Sequence, residues 1–124
     1  MSTGTVAIPP IVCLVKAFRV IALSGKLEYR EDGITVPEAG GVIELTGART
    51  NGMLPTLWIG FTDALVKSPF SFKVTELGAV GTLILPRASF AAYLALANTP
   101  HAYFRLGGNG ALNALASERS VLED

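Results

Sequence analysis

Residues 105–113, RLGGNGALN, hold glycine at 107, 108 and 110. A strand, a glycine-rich loop and then helix-forming residues is the order used by a phosphate-binding loop. Free N–H groups at a helix start attract anions, and glycine lets a phosphate approach the backbone. The spacing of Gly107, Gly108 and Gly110 is neither G-x-G-x-x-G nor the pattern that ends in Lys-Ser/Thr, and no second strand–helix unit follows. The glycines therefore favour a hinge that lets the tail move or dock on a neighbour. Tyr103 and Arg105 share one face of an expected strand. Together with Arg49, Arg87 and the Gly107–Gly110 loop they define an alternative reading, a site for a nucleotide, single-stranded nucleic acid or another small anion.

The remaining reactive residue types are sparse. His101 is the sole histidine, and a single imidazole can act as a general base. No serine accompanies it in a G-x-S-x-G elbow, and no Asp or Glu clusters with it at zinc-ligand spacing. Cys13, the only cysteine, lies between Val12 and Leu14 and is expected in the core, so neither an internal disulfide nor a cysteine-rich zinc site is available. Glu28, Glu31, Asp32, Glu38 and Glu44 read as solvated strand faces and turn tips, since an acid–base pair would require one of them to be buried with a raised pKa. No catalytic residue, metal or cofactor is assigned, and the enzyme reading ranks last.

A length of 124 residues fits one domain. Charged residues make up 16% of the chain, against a usual ~25%. Ten cations balance ten carboxylates. A small domain with so little charge and no net charge lacks the repulsion that keeps copies apart. Part of its surface is expected to be covered by copies of itself or by a protein partner. Glu31, Asp32, Glu38 and Glu44 form an acidic stretch, whereas Arg49, Lys67, Lys73, Arg87 and Arg105 outnumber Asp63 and Glu76 downstream. That asymmetry could pair faces between subunits, but it is too weak for duplex DNA. The N-terminus has no basic n-region, Pro9-Pro10 interrupts any apolar run, and residues 88–104 are too short and polar to span a membrane. The expectation is a reducing, cytosol-like compartment and no membrane partner.

These residues must be positioned by short elements, because turn signals recur along the chain. "IVCLVKAFRVIALSG" fits either a helix or a β-branched strand, and a strand over about 15–24 is favoured. "KLEYREDGITV" reads as strand, Asp32-Gly33 turn, strand. "VIELTGA" is a further strand, and "TLWIGFT" one buried on both faces, with Gly60 marking a bulge or close packing. "SPFSFKVTEL" alternates Phe70, Phe72 and Val74 against Ser71, Lys73 and Thr75, a half-buried strand, and "VGTLILP" follows as an apolar one. Pro86 opens a helix over about 87–97, with Phe90, Tyr93, Leu94 and Ala97 on one face. "HAYFRL" returns as a strand, and a second helix from Gly110 would align Leu112, Leu115, Arg119 and Leu122.

The expected fold is β-rich α+β. An antiparallel sheet of about seven or eight strands is rolled into a small sandwich or barrel. Only the strand–helix–strand unit at 80–106 could supply a parallel crossover. Residues 1–10 form an arm and 107–124 a tail; either these segments exchange between neighbours or they stay disordered. The function expected first is a non-enzymatic assembly or interaction protein, a homo-oligomer or a subunit docked on another protein.

Overall fold

A computed structural model describes residues 11–31, 34–49, 52–66, 69–74, 78–107 and 113–122. The ambiguous first segment is extended throughout, as strand β1 (Ile11–Ala22). Its β-branched residues are better accommodated on a pleated surface than in a helix. The two halves of β1 serve different partners. Ile11–Leu14 pair with β8 (Tyr103–Leu106), whereas Val15–Ala22 pair with β4 (Gly41–Gly47). A register shift between Val15 and Ala17 separates the halves, and the added twist of such an irregularity helps the sheet to curl.

The remaining strands are β5 (Leu54–Phe61), β6 (Phe70–Val74), β7 (Gly78–Leu85) and β9 (Ala114–Ala116). They complete a seven-stranded sheet, β6-β7-β5-β4-β1-β8-β9, curled into a half-barrel. The sheet is mixed, which corrects the antiparallel expectation: β5 and β7 run parallel. After β5 the chain passes over one strand position and lays down β6 at the edge, and the hairpin back inserts β7 into the gap. The expected crossover at 80–106 does not form a parallel pair, because β5, β4 and β1 lie between β7 and β8.

The concave face carries the main core, including Ile43, Leu45, Leu57, Ile59, Phe61 and Phe104. A 3-10 turn (Arg87–Ser89) and helix α1 (Phe90–Ala97) close this side over the expected 87–97. Phe90 meets the Phe61 ring edge-on at 5.0 Å, and Tyr93 lies 6.0 Å from the same ring. Cys13 is buried in this core, as expected.

Alternate residues of β4, β5 and β7 face the other way, and a two-stranded ribbon covers them. The ribbon is β2 (Tyr29–Glu31) with β3 (Ile34–Val36), and its turn residues 32 and 33 lie outside the described residues. Ile34 and Val36 pack with Ala39, Val42 and Trp58 in a second core. Gly60 marks close packing, since Val36 occupies the space a side chain would need. With both faces covered, β5 is almost wholly buried, as its unbroken apolar run implies.

The tail departs from expectation. Among the described residues, Ala114–Ala116 are not helical but pair with Tyr103–Arg105 as β9, and helix α2 spans only Arg119–Leu122. Leu115 is buried in the main core from its place in β9. The open edge of β8 offers a hydrogen-bonding ladder and a core position for Leu115, and these override the helix propensity of Ala and Leu. Residues 1–10 lie outside the described residues, so the N-terminal arm does too.

Candidate functional site

β8 carries Phe104 and Leu106 into the core and turns Tyr103 and Arg105 to the other face, as alternation requires. Arg105 is only 8% exposed. Its Nη1 donates to the Leu122 carbonyl at 2.8 Å and its Nε to the Gly107 carbonyl at 3.4 Å. The guanidinium thus anchors the last turn of α2, where a cation also complements the helix dipole. Gly107 has φ +62, which glycine adopts without strain, and the Phe72 ring fills the space of its missing side chain.

Asn113 sits at the centre of this corner. Its Nδ2 donates to the carbonyls of Ser71 at 2.7 Å and Thr82 at 2.6 Å, while its Oδ1 accepts from Gly107 N at 2.9 Å. Those partners belong to β6 and β7, at the far end of the strand order from β9. One amide side chain therefore spans the mouth of the half-barrel. Room for it comes from Gly81, where an added Cβ would lie 2.6 Å from Leu106 and 3.0 Å from Asn113.

The residues of the anion-site reading do not all converge. Tyr103, Arg105 and Gly107 are neighbours, and Gly108 and Gly110 lie outside the described residues. The described residues resume at Asn113 and strand β9, so among them the glycines are followed by a strand. Arg49 is exposed in the loop after β4 and donates to the Gly52 carbonyl at 3.2 Å. Arg87 belongs to the opposite end of the sheet: it follows Leu85, which lies beside Phe61 and hence Gly41, whereas Arg105 lies beside Val12. Its backbone N–H donates to Asp63 Oδ1 at 3.1 Å, and its side chain lies across Gly25 and Gly40.

Sequence reasoning missed an ionic cluster on the outer face. Arg19 and Glu44 are directly opposed across β1 and β4, and the ribbon brings Glu31 to the same guanidinium. The distances are 3.2 Å to Glu44 and 2.5 Å to Glu31, and the guanidinium carbon stands 5.6 Å from the centre of the Trp58 ring. Tyr29 donates to Glu31 at 2.6 Å. Tyr29 and Arg19 hold the Glu31 carboxyl below its ordinary range, and Glu31 in turn raises Arg19. Burial first, then its bond to Glu31, pushes the Tyr29 phenol up to about 12. These groups engage one another and fasten the ribbon to the sheet. The acidic stretch in the sequence hinted at a charged region, but only strand register assembles the cluster.

Elsewhere, His101 is exposed in the turn before β8. Among the described residues no three His, Cys, Asp or Glu side chains converge as metal ligands. A groove of about 340 Å³ lies beside the β5–β6 connection, lined by Thr62, Asp63, Leu65, Pro69 and Ile84. Within it Thr62 is bound to the Pro37 carbonyl and Asp63 to Arg87 N. No helix among the described residues is long and apolar enough to cross a membrane.

β6 differs from all of this. Its expected half-burial is corrected for two of the three apolar residues: Phe70 is 47% and Val74 46% exposed, while Phe72 packs against the core. The cause is position, for among the described strands β6 has a neighbour on one side only. Ile84 N donates to the Pro69 carbonyl, and the antiparallel register steps from that pair to Ser71↔Thr82 and Lys73↔Val80. Alternate residues of such a pair point away from the partner strand. The N–H and C=O groups of Phe70, Phe72 and Val74 thus face outward, and no described strand meets them.

No protein-family model matches the chain, and no curated protein or solved structure matches it either.

Proposed function

We propose that this chain is a non-enzymatic assembly protein that self-associates through low-charge surface, with the β6 edge as its joint. The carrying observation is the backbone edge of β6, which no described strand meets, flanked by half-exposed Phe70 and Val74. Exposed regular edges template further strand pairing, and proteins that stay monomeric usually blunt them. The zero net charge and the low charged fraction favour the same reading, because close approach of copies meets little repulsion. Within it the chain works in a reducing, cytosol-like compartment.

The anion-site reading ranks second. Its central cation, Arg105, is turned to the Leu122 carbonyl beneath α2, and Arg87 lies at the other end of the sheet. Loss of affinity for a nucleotide or single strand in Arg105→Ala, with the fold intact, would reverse that ranking.

Native mass spectrometry at near-physiological salt tests the assembly reading. A closed oligomer without extra mass is expected, and Phe70→Lys with Val74→Lys should shift it to monomer. A wild-type chain that stays monomeric across a concentration series overturns the proposal.

A further inference from the structure

Resting on the self-association reading, we infer that two copies pair β6 against β6, antiparallel, across a two-fold axis at Phe72. The two seven-stranded sheets then become one continuous sheet. An axis normal to the sheet makes the same strand meet itself in opposite directions, which is the isologous geometry of a closed dimer.

The register follows from the outward groups. They belong to Phe70, Phe72 and Val74, which are symmetric about Phe72. Centring there places Phe72 opposite Phe72 and Phe70 opposite the second copy's Val74, and every outward N–H and C=O of the strand finds a partner. Centring on Ser71 leaves Val74 beyond the second copy's strand. Centring on Lys73 leaves Phe70 beyond it and sets the two ammonium groups face to face, which destabilises a pair.

Side chains agree with the same centre. Phe70 and Val74, both half-exposed in the single chain, cover each other across the joint on the concave side. On the outer side Lys73 stands opposite Ser71, so a cation meets a hydroxyl. A head-to-tail union of β6 with β9 is disfavoured, because β9 has three residues against five in β6 and would leave part of the β6 edge unpaired. That asymmetry selects a closed pair over an open fibre.

Disulfide trapping of the full chain in a Cys13→Ala background reads the register. One preparation carries Ser71→Cys and the other Lys73→Cys. Directly opposed residues of a non-hydrogen-bonded pair have Cα atoms about 4.5 Å apart, within the ~4.4–6.8 Å that a disulfide spans. Residue 71 and its own copy are offset diagonally by about 7–8 Å, beyond easy bridging. Mild oxidation of the mixture should therefore yield the mixed 71–73 product in large excess over either homodimer. An independent pair, Phe70→Cys with Val74→Cys, should behave alike and guards against a variant that folds poorly. Dominant 71–71 or 73–73 product overturns this register. A dimer by native mass spectrometry that never cross-links shows that β6 is not the joint, which sinks this inference while self-association stands. A monomer sinks both.

Discussion

The two edges of the sheet face the same problem and meet it differently. At β9 the chain's own C-terminal segment is tied down: α2 packs across β1, β8 and β9, Arg105 holds the Leu122 carbonyl, and Asn113 reaches to the opposite strands. At β6 no described element covers the edge, and Phe70 and Val74 remain half in water. The tied end depends on buried polar groups, which are costly unless fully bonded. That condition is met, since no buried side-chain nitrogen or oxygen among the described residues lacks a hydrogen-bond partner. The comparison implies that disruption at β9 is read in folding stability and disruption at β6 in association.

The largest effect is expected at Arg105. Arg105→Ala removes hydrogen bonds to two carbonyls and most of a buried side chain. Hydrogen bonds to charged groups contribute ~1.5–3 kcal/mol each, so a loss of about 3 kcal/mol is expected in urea unfolding. A loss below about 1 kcal/mol would mean that α2 is not anchored there. Asn113→Ala comes next, because it strands the buried Gly107 N–H and removes the tie between the sheet's ends. About 2 kcal/mol is expected, from the usual penalty for a buried unsatisfied group. Asn113→Asp should restore little, since a carboxylate cannot donate to the Ser71 and Thr82 carbonyls.

Val74→Lys should invert the pattern. A half-exposed edge position tolerates substitution within about 0.5 kcal/mol of monomer stability, yet here the oligomer should be lost. Measuring the urea midpoint and the native mass of the same sample separates the two quantities. A large drop in stability with assembly retained would show that the two edges are not divided in this way.

Much of the frame was legible because it rests on local patterns. Pro86 and the 3.6-residue spacing of Phe90, Tyr93, Leu94 and Ala97 mark the helix, and the unbroken run at 56–61 marks a strand covered on both faces. The pattern of β6 was legible as alternation, but alternation reports faces and not neighbours, so an edge strand reads like an interior one. Ala114–Ala116 read as helix because their extended state depends on the β8 edge, close in sequence but supplied only by the folded sheet. The burial of Arg105 was equally hidden. Its partners are backbone carbonyls at Gly107 and Leu122, which no residue type announces. The parallel β5–β7 pair arises from the order in which strands are inserted, again a property of the whole sheet.

The smallest effect belongs to the ionic cluster on the outer face, whose charges are solvated and whose pairs contribute little individually. It nevertheless has a signature that neither edge shares. The folded state holds the Tyr29 proton up to about 12, against an ordinary value of 10.0. A raised pKa contributes stability that is full below pH 10 and is lost as pH rises towards about 12. Glu31 has the opposite sign: its lowered pKa contributes above its ordinary 4.5 and is lost as pH falls through the folded value. Trp58, the only tryptophan, lies beneath this cluster, so its fluorescence reports the ribbon directly. Wild type should therefore lose stability more steeply than Tyr29→Phe between pH 10 and 12, the window set by the phenol. Added salt should weaken the acid-side contribution of Glu31, whose ion pair with Arg19 is exposed to screening. Native mass should not change across either comparison, because the cluster engages the ribbon and leaves β6 untouched. If Tyr29→Phe altered the oligomer instead, the joint would include the ribbon face, and the division of labour between the two sheet edges would have to be redrawn.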